Sequence, residues 1–141
     1  MKKIILLFAA LFVIISCSKK ETKFEAFSAE AFAFDIGDGT AEVNATVRAK
    51  GFTQTEKDGN YKAAIAYEVD LLKPDNSVKK SVYKSVQNEE AKEPISDIAL
   101  EAQFTLDSTY TAGTYTLVFM ISDKNSENKI ESKVNFDLTR D

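Results

Sequence analysis

The chain of 141 residues contains no histidine, no tryptophan and a single cysteine. The absence of histidine excludes His-based catalytic triads, Cys–His nucleophiles and histidine-ligated zinc. The absence of tryptophan removes the amphipathic side chain with the largest ring surface for stacking on sugars. One cysteine cannot form an intramolecular disulfide. We therefore expect a protein that is not an enzyme and that holds no cofactor or metal.

The charge balance is acidic, with 22 acidic and 18 basic side chains and a formal net charge of −4. Proteins that bind nucleic acid by its phosphates carry the opposite sign, usually concentrated in a basic patch. We expect no nucleic-acid partner.

The amino terminus has the order of an export signal. Two lysines precede an almost uninterrupted apolar run over residues 4–15, and the small residue Ser16 precedes Cys17. The run is shorter than the roughly 20 residues that cross a bilayer core. The segment Ile14-Ile15-Ser16-Cys17 resembles the bacterial lipobox. This resemblance implies that residues 1–16 are a helical signal peptide and that Cys17 becomes the lipidated first residue of a lipoprotein.

Lipidation at Cys17 would fix the protein to a membrane. Two or three acyl chains, palmitate among them, hold a protein far more firmly than one chain does. Residues 17–23 are then the lipidated terminus and a short tether, whose residues 18–23 span about 20 Å at roughly 3.3 Å per residue. In similar lipoproteins an aspartate just after the cysteine favours the inner membrane; because Ser18 occupies that position here, we expect the outer membrane of the bacterial cell envelope. The alternative is an ordinary secretory signal with an unmodified cysteine near its end.

Residues 24–141 are enough for one domain with a hydrophobic core. Apolar residues recur at every second position, which predicts strands with one buried face. The residues expected to face the core are Ala41, Val43, Ala45, Val47 and Ala49, then Ala63, Ile65, Tyr67, Val69 and Leu71, then Ile98, Leu100, Ala102, Phe104 and Leu106, then Tyr115, Leu117, Phe119 and Ile121, and finally Ile130, Val134, Phe136 and Leu138.

Two further strands are predicted, which makes about seven in all. In residues 24–36 the phenylalanines do not keep one register, which indicates a bulge. Residues 77–87 carry valines spaced by four, as in a helix, but the interleaved Lys80 and Lys84 favour an edge strand. Residues 88–94 lack strand patterning and are expected to cross between sheets or to form one helical turn.

The carboxyl-terminal third resembles the last strands of bacterial immunoglobulin-like domains, which read as a small residue, glycine, any residue and tyrosine before an alternating strand. Here Ala112-Gly113-Thr114-Tyr115 stands before such a strand. The resemblance implies an all-β, antiparallel immunoglobulin-like sandwich. It also implies a tyrosine corner, in which the Tyr115 hydroxyl bonds back to the chain just upstream.

One candidate partner surface follows from the alternation. Val118 and Met120 point away from the core, and the family's strand order adds Ala64 and Ala66 to the same outer face. An apolar stripe with a charged rim is a plausible docking surface for another envelope protein. The competing interpretation is a solvent face of small residues.

Two loops could supply oxygen ligands to calcium: Asp35 with Asp38, and Asp123 with Asn125 and Glu127. Neither completes a calcium-loop pattern, and hairpin turns use the same residues, so turns are the preferred interpretation. The aromatic residues Tyr61, Tyr83, Tyr110 and Phe52 are candidates for stacking on a glycan. Strand ends and corners explain them as well.

These observations predict a non-enzymatic binding or accessory module on a bacterial membrane. Three alternatives remain. One is a carbohydrate-binding module, and another is a protease-inhibitor-like lipoprotein with residues 88–94 as its exposed loop. The third is an enzyme, which would need carboxylates clustered in a cleft, and no spacing in the sequence indicates such a cluster. A structural lipoprotein without a small-molecule ligand fits the sequence equally well.

Overall fold

A computed structural model describes residues 22–140. This part of the chain forms eight strands joined by turns and loops. Their bounds are β1 Glu25–Gly37, β2 Thr40–Lys50, β3 Thr55–Lys57, β4 Asn60–Leu72, β5 Val78–Ala91, β6 Asp97–Leu106, β7 Gly113–Asp123 and β8 Lys129–Leu138. The described part contains no helix, and hence none long and apolar enough to cross a membrane. The predicted signal peptide and Cys17 lie outside the described residues.

The strands form two antiparallel sheets. The small sheet has the order β1-β2-β6, and the large sheet has the order β5-β4-β7-β8, with β3 paired to the start of β4. The pairings β2–β6 and β4–β7–β8 are those of strands B–E and C–F–G in an immunoglobulin-like sandwich. The predicted fold class is confirmed.

The core lies between the two sheets and follows the predicted alternation. All of the predicted core residues of β2, β4 and β7 are buried. In β6 and β8 the exceptions are half-buried residues that still pack against the core, namely Phe104, Ile130 and Val134. Alanine and β-branched side chains suit these positions because they fit a pleated surface covered on one side.

The first strand contains the predicted bulge. Its pairing with β2 shifts between Phe27 and Glu30, where Ser28 has φ 50°. Beyond the bulge, Ala31 and Ala33 pack on the core, so Phe32 and Phe34 face outward.

The prediction for residues 88–94 was wrong over its first half. Residues 88–91 continue β5 and pair with residues 61–64 of β4, helped by an ion pair of 3.1 Å between Lys62 and Glu90. The error has a physical reason. An edge strand with charged residues on both faces forms ladder hydrogen bonds without apolar alternation. The exposed loop expected of a protease inhibitor is therefore reduced to a few residues.

The edge-strand prediction for β5 is confirmed, since β5 pairs with β4 alone. A register shift opposite Val69 and Leu71 marks a bulge in β5, where Ser81 has φ 53°. The short strand β3 was not predicted. Three exposed residues give too little periodicity to be recognised as a strand.

The tyrosine corner is confirmed. The Tyr115 hydroxyl donates a hydrogen bond of 2.8 Å to the carbonyl oxygen of Thr111. Its ring is fully buried and stacks on Phe136, with 5.5 Å between ring centroids. This contact fixes the connection between β6 and β7, which joins the two sheets.

Candidate functional site

The four predicted partner residues lie on one surface, the outer face of the large sheet. Ala64 and Ala66 come from β4, Val118 and Met120 come from β7, and each is half-buried. The register, however, places Glu68 beside Met120 and Asp70 beside Val118. The predicted apolar stripe is therefore interrupted by two carboxylates. Alternation alone could not show this, because it does not say how far one strand slides along the next.

A groove of about 420 Å³ crosses this face. We call it the large-sheet groove; it is lined by Ala66, Glu68, Lys84, Val86, Met120 and Ser122. Two rows of side chains build it. Val86, Ala66 and Ser122 form one row across β5, β4 and β7. Lys84, Glu68 and Met120 form the next.

The groove thus combines an apolar floor with one positive and one negative side chain. Val86 is half exposed at its rim. The sequence pattern places Val86 only in an edge strand, because the large-sheet groove forms only where three strands meet. Ala64 and Val118 share the face but do not line the groove.

The end of this face toward Val118 carries the buried carboxylate of Asp70, only 3% exposed. The Lys80 ammonium donates to it at 2.6 Å, and the Ser81 backbone N–H donates at 2.8 Å. Burial alone would raise the pKa of Asp70, but these two donors outweigh it and lower the pKa below its ordinary value. The carboxylate therefore stabilises the bulge in β5 and is not free to bind a ligand.

Two of the candidate calcium residues, Asp123 and Asp35, serve as turn residues, which is the interpretation that the sequence favours. Asp123 accepts hydrogen bonds from the backbone N–H groups of Thr53 and Asn125 and from the Ser126 hydroxyl, at 2.7 to 2.9 Å. Asp35 accepts from the N–H of Gly37 at 2.6 Å. These donors point hydrogen atoms toward the oxygens that a cation would need. Within residues 22–140 no cluster of acidic residues could hold a metal ion.

The four aromatic candidates for glycan stacking do not form a common platform. Phe52 is buried. Tyr110 lies near Tyr115 at the start of β7, whereas Tyr61 opens β4 and so lies at the opposite end of the sandwich. Tyr83 stacks on Tyr67, with 6.1 Å between centroids, at the side of the core.

A different aromatic feature was missed. Phe32, Phe34 and Ile36 are 58%, 45% and 49% exposed and follow each other on the outer face of β1. We call them the β1 apolar strip. The two rings lie 6.2 Å apart, with an angle of 26° between their planes. In the sequence, large apolar residues alternate with Ala31 and Ala33. Either set of side chains is typical of a core, so the alternation alone does not show which set is exposed.

Comparisons with known proteins support the fold only. No protein-family model matches this sequence, and no curated protein matches it. One similar structure is Bacteroides uniformis β-glucuronidase 2, with a TM-score of 0.53 and 10% identity over 76% of this chain. Another is a family 123 glycoside hydrolase from Clostridium perfringens, with a TM-score of 0.45 and 8% identity over 70% of this chain. The chain spans 12% and 21% of these two proteins.

Proposed function

We propose that this protein is a lipoprotein of the bacterial cell envelope, anchored through Cys17, whose sandwich binds a partner without catalysing a reaction. The observation that carries the proposal is the large-sheet groove. It offers a shaped, partly apolar surface on a domain whose own core is already complete.

The short tether limits where the partner can be. Phe24 is buried in the core, so only the residues before it can act as a leash. At roughly 3.3 Å per residue, the six residues 18–23 reach about 20 Å from the acylated cysteine. The partner should therefore be embedded in the same membrane or attached to it.

The chemistry of the groove suits a protein side chain. Met120 adapts its shape to an apolar partner group. Glu68 and Lys84, which lie opposite each other on β4 and β5, can each pair with an opposite charge at the rim. Such pairs favour the correct partner and orientation more than they add to affinity.

Substitution of Cys17 by serine tests the anchor. We expect the variant to leave the membrane fraction and to lose the mass of its acyl chains, because a hydroxyl does not take the thioether-linked lipid. A Cys17→Ser protein that stays with membranes at unchanged mass would contradict the assignment.

Crosslinking in intact cells tests the groove. A photo-crosslinking residue at position 120 should capture a membrane-associated protein, and the same residue at position 46, on the small sheet, should not. Ala66→Arg should abolish the capture by filling the groove with a charged side chain. If positions 120 and 46 capture the same proteins, or if Ala66→Arg has no effect, the groove is not the docking site.

A carbohydrate-related module is the second candidate. One similar structure, with a TM-score of 0.53, belongs to a β-glucuronidase, and the β1 apolar strip displays two phenylalanine rings to solvent. Retention on immobilised glycans, compared with an unrelated lipoprotein, would distinguish this function from protein docking.

A further inference from the structure

The β1 apolar strip cannot be explained by the packing of the domain. Phe32 is the most exposed of the large apolar side chains in residues 22–140. Alanines at positions 31 and 33 of the same strand pack on the core. Exposing two phenylalanines side by side forgoes the stabilisation that their burial would give. Such a patch usually marks a binding site.

Polar side chains able to form hydrogen bonds lie directly beside the strip. Across the small sheet, Phe32 is followed by Asn44 on β2 and Gln103 on β6, and Phe34 is followed by Glu42. The Asn44 amide donates to Glu42 at 3.0 Å, which orients its carbonyl oxygen and leaves its second N–H for a ligand.

A groove of about 340 Å³ runs across this surface from Phe32. It is lined by Phe32, Asn44, Thr46, Glu101, Gln103 and, at the neighbouring edge of the large sheet, Tyr83. Aromatic rings therefore stand at both ends, with amides, a hydroxyl and a carboxylate between them. This set of groups matches the surface of a sugar, which has C–H faces and hydroxyl edges.

From this geometry we propose that the outer face of the small sheet binds a short neutral oligosaccharide. Two neighbouring pyranose rings stack through their C–H faces, one on Phe32 and one on the adjacent Phe34, because the negative face of an aromatic ring attracts polarised C–H groups. Asn44 and Gln103 bond the hydroxyls at the edge of the ring that lies on Phe32. The proposal deepens the carbohydrate-related function raised above and rests on it.

Charge favours a neutral sugar over an acidic one. Glu30, Glu42 and Glu101 surround the strip. Among residues 22–140, the cations of the same face are engaged at its other end, where Arg48 pairs with Asp97 and Lys50 with Glu25. A uronate would meet carboxylates without a free cation to pair with.

The same charges argue against a membrane as the occupant. Anionic headgroups are repelled by carboxylates. In addition, Ile36 lies eleven residues beyond Glu25, the first residue of β1, which places it roughly 35 Å along the strand from the tether's end of β1 at about 3.3 Å per residue. The strip is also small for a second copy of the chain. Three half-exposed side chains offer roughly 300 Å², against about 800 Å² per partner in a stable interface.

The test uses the full-length protein in detergent on an array of neutral gluco-, manno- and galacto-oligosaccharides, with oligogalacturonides as the acidic comparison. We expect binding to a neutral series. Phe32→Ala and Phe34→Ala should each weaken binding by about tenfold. Val78→Ala, which removes a similarly exposed apolar side chain from β5, should leave it unchanged.

Three results would overturn the proposal: no retention on neutral sugars, retention that both phenylalanine variants share with the parent protein, or a stronger signal on the uronates. If the protein binds vesicles of anionic lipid and Phe32→Ala does not, the β1 apolar strip binds a membrane instead. If the protein is a dimer and Phe32→Ala is a monomer, the strip binds a second copy of the chain instead. Because the large-sheet groove lies on the other sheet, crosslinking from position 120 should persist in Phe32→Ala. A failure here is thus distinguishable from a failure of the docking proposal.

Discussion

Replacing Tyr115 by phenylalanine isolates the contribution of the tyrosine corner to stability. The ring is almost completely buried and stacks on Phe136, and phenylalanine keeps that packing. Only the hydroxyl and its bond to Thr111 are lost. Because Thr111 is exposed, water can solvate the freed carbonyl, and we expect a loss of about 1 kcal/mol in the free energy of unfolding.

For a domain of about 120 residues this loss corresponds to a melting temperature about 4 °C lower. Thermal and urea unfolding of the full-length protein, followed by circular dichroism in the same detergent, would measure it. The matched control is Tyr110→Phe. That hydroxyl accepts a bond from Lys79 at the exposed surface, where a hydrogen bond contributes little.

The comparison of the two variants decides the outcome. If Tyr115→Phe unfolds at the same temperature as Tyr110→Phe, the corner does not stabilise the sandwich, and the connection between β6 and β7 is held by apolar packing alone.

Two further predictions concern the turns and the attachment of the tether. Burial would raise the pKa of Asp123, but the hydrogen bonds from Thr53, Ser126 and Asn125 lower it below its ordinary value. A carboxyl group whose pKa is depressed in the folded state stabilises the fold above about pH 4, and this contribution is lost as the pH falls through the folded pKa. Asp123→Asn should therefore flatten the dependence of the unfolding free energy on pH below about pH 4, and an unchanged dependence would refute this. At Gly51 a Cβ atom would collide with backbone oxygens just before β1, whereas at Gly59, which has nearly the same φ, it would meet nothing. Gly59→Ala should therefore lower the free energy of unfolding by about 1 kcal/mol through the left-handed backbone alone, and Gly51→Ala should lower it clearly more. Urea unfolding measures both losses, and equal losses would contradict the collision.

The sequence by itself determined the strand-rich class, the buried faces and the tyrosine corner. These features follow from local rules: a side-chain period of two, turn residues that tolerate positive φ, and a short motif before β7. They need no knowledge of which strands are neighbours. The lipobox is equally local, and the anchor it implies is still a prediction.

Only the tertiary structure decided where the candidate sites lie. The bulge at Ser28 and the register of β1 against β2 placed Phe32 and Phe34 on the outer face of the sheet, beside Asn44 and Glu42, although phenylalanine at alternate positions is equally typical of a core. The large-sheet groove required the relative register of three strands. The buried carboxylate of Asp123 reaches Thr53, 70 positions away in the chain. Each of these features depends on contacts between distant segments, whose register and neighbours are determined by packing and not by the residues of any one strand.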